Sequence, residues 1–246
     1  MRIYKTIKEA LDETLRDLKV RGITTECKSY QDKKLSGDER FVKELIGVDF
    51  KIDKPLLDRD EAVRFVFKDD ADRILKYCKQ EISDRCSGEP LNPGNSYKIR
   101  ADLWNNFLEG TGKFSYQYAE RLWVRNQFGS VISCLKNDSG TRQAVLSVWD
   151  PEIDMDTNKL GGVSRVPCSL TYQFLIRNGR LHCIYNMRSN SAFEHCCIDL
   201  YCASGLMEYV VKELKDTYPD LKVGSLTYCC GSLHMFKWDV DQLVLF

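Results

Sequence analysis

The chain has no excess of charge of either sign. Its 36 lysines and arginines balance 36 aspartates and glutamates, which leaves no net field to hold a nucleic-acid backbone and disfavours a polynucleotide partner. Histidine is scarce, with only His182, His195 and His234, and none of the 11 cysteines forms a Cys-x-x-Cys pair. Structural zinc sites draw on such spacing, so no metal is expected. The adjacent pairs Cys196-Cys197 and Cys229-Cys230 would point to opposite faces of a strand, which suits a shared ion poorly. Long hydrophobic runs are missing too: the longest stretch without charge, Val223 to Phe236, is shorter than the roughly 20 apolar residues of a membrane helix. Irregular cysteine spacing without a signal peptide points to reduced thiols in a soluble, cytoplasmic protein.

What is present reads as one α+β domain over residues 1–246, a length that buries a substantial core. Ile7, Leu11, Leu15 and Leu18 recur at three- and four-residue intervals among charges, the pattern of an amphipathic helix. A polar stretch from Thr24 to Arg40 leads to a strand around Phe41 to Val48. Asp70 to Arg85 reads as a helix, and Ser87 to Asn95, with two prolines and two glycines, as a loop. Two apolar runs between Leu170 and Met187 flank Asn178-Gly179, a hairpin signal. Ala144 to Trp149 and Leu226 to Phe236 read as further strands. Asp199 opens a helix running to Tyr218, with one apolar face and Pro219 closing it. The sheet is expected to be antiparallel or mixed.

The chemistry concentrates after residue 160. Pro167-Cys168 precedes the run Ser169-Leu170-Thr171-Tyr172-Gln173-Phe174, Arg188-Ser189 begins 20 residues after the cysteine, and Asp199 lies 11 after the arginine. A thiolate is the soft nucleophile able to add reversibly to carbon 6 of a pyrimidine. The planar fork of arginine suits a phosphate, and an ionised carboxylate only accepts hydrogen bonds, which suits a cytosine amino group over a uracil carbonyl. In this order and at these intervals the set resembles the active-site core of the thymidylate synthase family. Asp at the last position resembles its cytidylate hydroxymethylase branch, found in T-even phages.

The resemblance implies a mixed sheet packed with helices, a homodimer formed through the sheet, and a pyrimidine nucleoside monophosphate as substrate. Cys168 would be the nucleophile, its pKa lowered by a neighbouring arginine. Glu81 would organise water and relay protons, and Tyr118, in Ser115-Tyr116-Gln117-Tyr118-Ala119, would lie near the nucleophile. Arg188 and Ser189 would bind the phosphate, helped across the dimer by Arg142 in Asp138-Ser139-Gly140-Thr141-Arg142-Gln143. Gln173 would contact substrate, His234 the sugar and Asp199 the base. The implied one-carbon donor is 5,10-methylenetetrahydrofolate, with Trp104 against it. The chain departs from the family pattern at Ser169, Gln143 and Phe236, and on the folate side at Ser191 and His195. A uridylate-using methylase or hydroxymethylase, and a nucleotide-binding homologue with reduced catalysis, are the alternatives.

Overall fold

In chain order the elements are β1 (Arg2–Tyr4), α1 (Ile7–Arg21), β2 (Ile23–Glu26), β3 (Ser29–Tyr30), β4 (Lys33–Lys34), β5 (Phe41–Ile52), α2 (Arg59–Phe67) and α3 (Ala71–Arg85). They continue with α4 (Ala101–Trp104), α5 (Tyr118–Trp123), α6 (Gln127–Asn137), β6 (Val145–Ser147), α7 (Pro151–Asp154), β7 (Ser169–Arg177), β8 (Arg180–Ser191), α8 (Cys196–Glu213), β9 (Lys222–Phe236) and α9 (Lys237–Val240). This computed structural model describes residues 1–27, 29–30, 33–155 and 165–240.

The helix expected from Ile7, Leu11, Leu15 and Leu18 is α1, and all four side chains are buried. Thr6 caps it by accepting from the Glu9 amide, and Lys19 and Arg21 complement the dipole at its far end. The hairpin is β7–β8. Asn178 and Gly179 take φ of 51° and 68°, the positive pair that a type I′ turn requires.

The main sheet is mixed, in the order β1-β5-β9-β8-β7-β6, with β2 also pairing β5. β5–β9, β7–β8 and β6–β7 are antiparallel, while β8–β9 and β1–β5 are parallel. Parallel β8 and β9 are joined by α8, which packs on them and on α1, α2 and α3. That position makes α8 buried on nearly all sides from Cys196 to Met207 instead of along one face. Gly205 leaves room there for the Ile82 side chain of α3, whose Cδ1 would have to shift to admit a Cβ at this point.

The helix begins three residues before the expected Asp199, so Cys196-Cys197 lies on a helix and not on a strand. It stops at Glu213, short of Tyr218, because the following residues fold back into a turn. Lys215 Nζ donates to the Pro219 and Leu221 carbonyls, and the Tyr218 hydroxyl donates to the Leu135 carbonyl at 2.8 Å.

Candidate active site

The C-terminal ends of β8 and β9, the first residues of β5, the approach to β7 and the first turn of α8 surround a cleft of about 460 Å³, a size that suits a small ligand. Close strand approach helps to form it. A Cβ on Gly231 would stand 2.8 Å from the Arg188 carbonyl, so glycine lets β9 lie against β8 at that arginine.

Cys168 sits half-buried in this cleft, just before β7. The Arg188 amide donates to its carbonyl at 2.9 Å, tying β8 to the nucleophile segment. The Arg188 guanidinium donates to the Pro167 carbonyl at 2.8 Å and the Val166 carbonyl at 3.0 Å, which holds Nη2 3.8 Å from Cys168 Sγ. Burial pushes the Cys168 thiol up; Arg188 and, less strongly, Arg165 pull it down, while Asp199 adds to the rise. Arg165 is itself buried, with its guanidinium carbon 4.7 to 5.9 Å from the ring centres of Trp104, Phe107, Phe114 and Tyr116, within cation–π range.

Glu81 comes from α3 and is 3% exposed. Its carboxylate accepts from Arg85 Nε at 2.8 Å and from the Ser96 hydroxyl at 2.6 Å. Arg85, equally buried, lies 4.3 Å from the Tyr118 ring centre and donates to the Tyr172 hydroxyl at 3.4 Å. Ser169 Oγ, 2.6 Å from the Tyr185 hydroxyl, donates to the Tyr118 hydroxyl at 3.2 Å. Burial holds the Tyr118 phenol well above its ordinary pKa, so it stays protonated and can donate.

Asp199, in the first turn of α8, is 7% exposed. Burial pushes its carboxyl up to about 7, against the opposing pull of Arg85 and a hydrogen bond from Asn190. Near neutrality it is therefore divided between an acceptor-only carboxylate and an acid that also donates. His234, on β9, lies 3.4 Å from Ser189 Oγ, and burial pushes its ring toward the neutral form. At the other end, Trp104 and His195 have ring centres 6.2 Å apart. Burial, Arg100 and Arg165 push His195 down to about 3.

Residues 92–245 match the family model described as thymidylate synthase. The chain belongs to the thymidylate synthase family. Deoxycytidylate 5-hydroxymethyltransferase of Enterobacteria phage T4 is 24% identical over 199 residues, covering 79% of this chain and 75% of the relative. A putative thymidylate synthase of Methanocaldococcus jannaschii is 32% identical over 147 residues, covering 56% and 64% respectively. The solved thymidylate synthase A of Bacillus subtilis superposes with a TM-score of 0.67 at 15% identity, covering 98% of this chain and 83% of that one.

Of the expected catalytic, substrate-binding and folate-binding residues, Glu81, Trp104, Tyr118, Cys168, Arg188, Ser189, Asp199 and His234 line this thymidylate synthase-type cleft, and Arg142 and Gln173 do not. Gln173 corrects the expectation of a substrate contact. On β7 the buried Tyr172 and Phe174 alternate with it, so it faces the opposite side of the sheet and donates to the Arg142 carbonyl at 2.8 Å. Arg142 is exposed on that side, after a turn in which Asp138 accepts from the Gly140 amide at 2.7 Å. Two electrostatic expectations change as well. The thiol of Cys168 is raised, because burial outweighs its guanidinium neighbours, and Asp199 is not permanently ionised.

The sequence reading missed Arg85, Arg165, Asn190 and Glu44. Arg85 had a signal, since it lies four residues after Glu81 on a helix, the spacing of an ion pair. Asn190 is buried and donates to the Tyr228 hydroxyl at 3.1 Å.

Proposed function

We propose that the chain is a hydroxymethyltransferase that adds a one-carbon unit to carbon 5 of a cytidine monophosphate. The observation that carries this reading is Asp199, a buried carboxyl with a pKa near 7 in the same cleft as Cys168 and Arg188. Cytosine presents an acceptor at N3 beside a donor amino group, and a neutral carboxylic acid offers the reciprocal donor and acceptor.

The steps follow from the residues. Arg188 and Ser189 hold the phosphate. Cys168 gives its proton to water in the cleft as sulfur adds to carbon 6, and Arg188 and Arg165 stabilise the charge on sulfur during that step. The addition drives electron density toward N3, where Asp199 supplies a proton, its pKa placing that proton within reach at neutral pH. Carbon 5 thereby becomes nucleophilic. Two of the roughly four acceptor positions on Glu81 are taken by Arg85 and Ser96. The remaining ones, with the protonated hydroxyl of Tyr118, hold the water that takes the proton from carbon 5. Water supplies the hydroxyl of the new hydroxymethyl group, and departure of sulfur from carbon 6, with return of the N3 proton to Asp199, re-forms the 5,6 double bond and frees Cys168.

The residues present fit 5,10-methylenetetrahydrofolate as donor. The indole Nε1 of Trp104 is buried without a hydrogen-bond partner, in an aromatic wall with Phe114. Trp104 would hold the flat ring system, and its N–H would gain an acceptor. When bound, that group supplies the one-carbon unit at an electrophilic oxidation level.

The reading includes a homodimer. The sheet face opposite the cleft aligns Val145, Gln173, Ile184 and Thr227 in one cross-strand row, a surface suited to a second copy that would receive Arg142. A uridylate substrate is the second reading, because the neutral acid also complements the N3–H and carbonyl of uracil; discrimination falls to the ionised form of Asp199, which accepts from the cytosine amino group and repels the uracil carbonyl.

The test is incubation with each pyrimidine monophosphate and the folate donor, following tritium release from carbon 5 and the product mass. A hydroxymethylated cytosine nucleotide, absent with Cys168→Ser, is the expected result. Preference for a uridine monophosphate, or release by Cys168→Ser, refutes the assignment.

A further inference from the structure

We propose that Glu44 reads the sugar of the bound nucleotide, and that the substrate is a ribonucleoside rather than a deoxyribonucleoside monophosphate. This rests on the reading of the cleft as a pyrimidine nucleotide site. Strand alternation turns Val42, Glu44, Ile46, Val48, Phe50 and Ile52 of β5 to one face. Glu44 is the single charged residue in that apolar row, and it lines the cleft half-buried.

Its carboxylate is fixed before any ligand arrives. Oε2 accepts from the Thr25 hydroxyl at 3.0 Å, and Oε1 accepts a short hydrogen bond from the Ser232 hydroxyl. On the backbone, Glu44 pairs directly with His234, while Ser232 pairs with Ser189. The order across the cleft floor is therefore Ser189 on β8, Ser232 and His234 on β9, and Glu44 on β5. With strands about 4.8 Å apart, Glu44 originates roughly 10 Å from the phosphate end and its side chain reaches back over β9.

Among the parts of a nucleoside monophosphate, only one suits this position. The phosphate carries acceptors and negative charge, which a carboxylate repels. The base is engaged at Asp199 and Cys168. The sugar lies between, and its hydroxyls are donors. With one position on each oxygen already filled, the carboxylate keeps about one acceptor site per oxygen, enough for two vicinal hydroxyls. Ribose supplies both, and deoxyribose supplies one. Phe236, at the end of the same β9 face, has no oxygen with which to share the task.

The experiment measures kcat/KM for tritium release from carbon-5-labelled cytidine 5′-monophosphate and its 2′-deoxy counterpart, in the unaltered protein, Glu44→Ala and Glu44→Gln. The unaltered protein should favour the ribonucleotide by roughly tenfold to a hundredfold, the size of one charge-assisted hydrogen bond. Glu44→Ala should bring the ratio close to one, mainly through a higher KM for the ribonucleotide. Glu44→Gln, which keeps shape and one acceptor, should fall between and serves if the alanine variant fails to fold. A preference for the deoxyribonucleotide in the unaltered protein, or a ratio that neither variant changes, overturns the proposal while leaving the nucleotide reading intact. Failure of the unaltered protein to bind or turn over either nucleotide overturns both.

Discussion

Replacing Asp199 by Asn should stabilise the protein at neutral and alkaline pH and do almost nothing at pH 4. The carboxyl is raised from 3.8 to about 7, chiefly by burial. The folded state therefore keeps a proton that the unfolded state releases, and wild-type stability falls as pH rises between those values. Above pH 7 the loss is complete and constant. A shift of about three units at about 1.4 kcal/mol each comes to on the order of 4 kcal/mol. Asn is nearly isosteric and carries no charge at any pH, so the variant escapes this penalty. Equilibrium urea unfolding at pH 4, 6 and 8 should show the variant's advantage growing from about zero to a few kcal/mol. An advantage that stays flat across this range would refute the raised pKa. It would also remove Asp199 as the proton donor to N3.

Arg85→Met strands Glu81 as a buried, uncompensated carboxylate and should cost about 3–5 kcal/mol in urea unfolding, with recovery when Glu81→Gln is added; a cost under about 1 kcal/mol shows that the pair is solvated. Arg165→Met removes a cation that pulls the Cys168 thiol down, so the pH profile of alkylation at Cys168 should move to higher pH; an unchanged profile rules out electrostatic contact. Mixing inactive Cys168→Ser with inactive Arg142→Ala should restore about a quarter of the activity, because random pairing makes half the dimers mixed, each with one intact site. No recovery after confirmed subunit exchange counts against a shared site.

The elements that could be read from the sequence are those whose determinants are local. Asn178-Gly179 fixes its own turn, and the four apolar residues of α1 need only a helical period and a surface to cover. The limits of α8 follow from distant partners. Its end at Glu213 depends on where Lys215 and Tyr218 find acceptors, at Pro219, Leu221 and Leu135. Its burial all round depends on α3 approaching at Gly205, and a glycine within a helical pattern does not disclose which neighbour it admits. Likewise β2 lies in a stretch that reads only as polar, and becomes a strand because β5 offers an edge to pair with.

In the cleft, residue identities were more legible than their electrostatic states. The intervals from Cys168 to Arg188 to Asp199 place three groups on the approach to β7, on β8 and on the first turn of α8, and a motif read in one dimension survives folding because these segments converge there. The sign of each pKa shift is a contest between burial and charge that no interval records. Arg188 stands beside Cys168 as expected, yet the thiol rises because the same convergence removes water from sulfur. Gln173, which the family resemblance implied as a substrate contact, is turned to the other face by the two-residue alternation of β7. Glu44 shows what that alternation offers when it is applied: a charged residue among apolar neighbours of the same parity needs a partner within the cleft face. Thr25 and Ser232 supply part of that partnership, and under the proposal the hydroxyls of the sugar supply the rest.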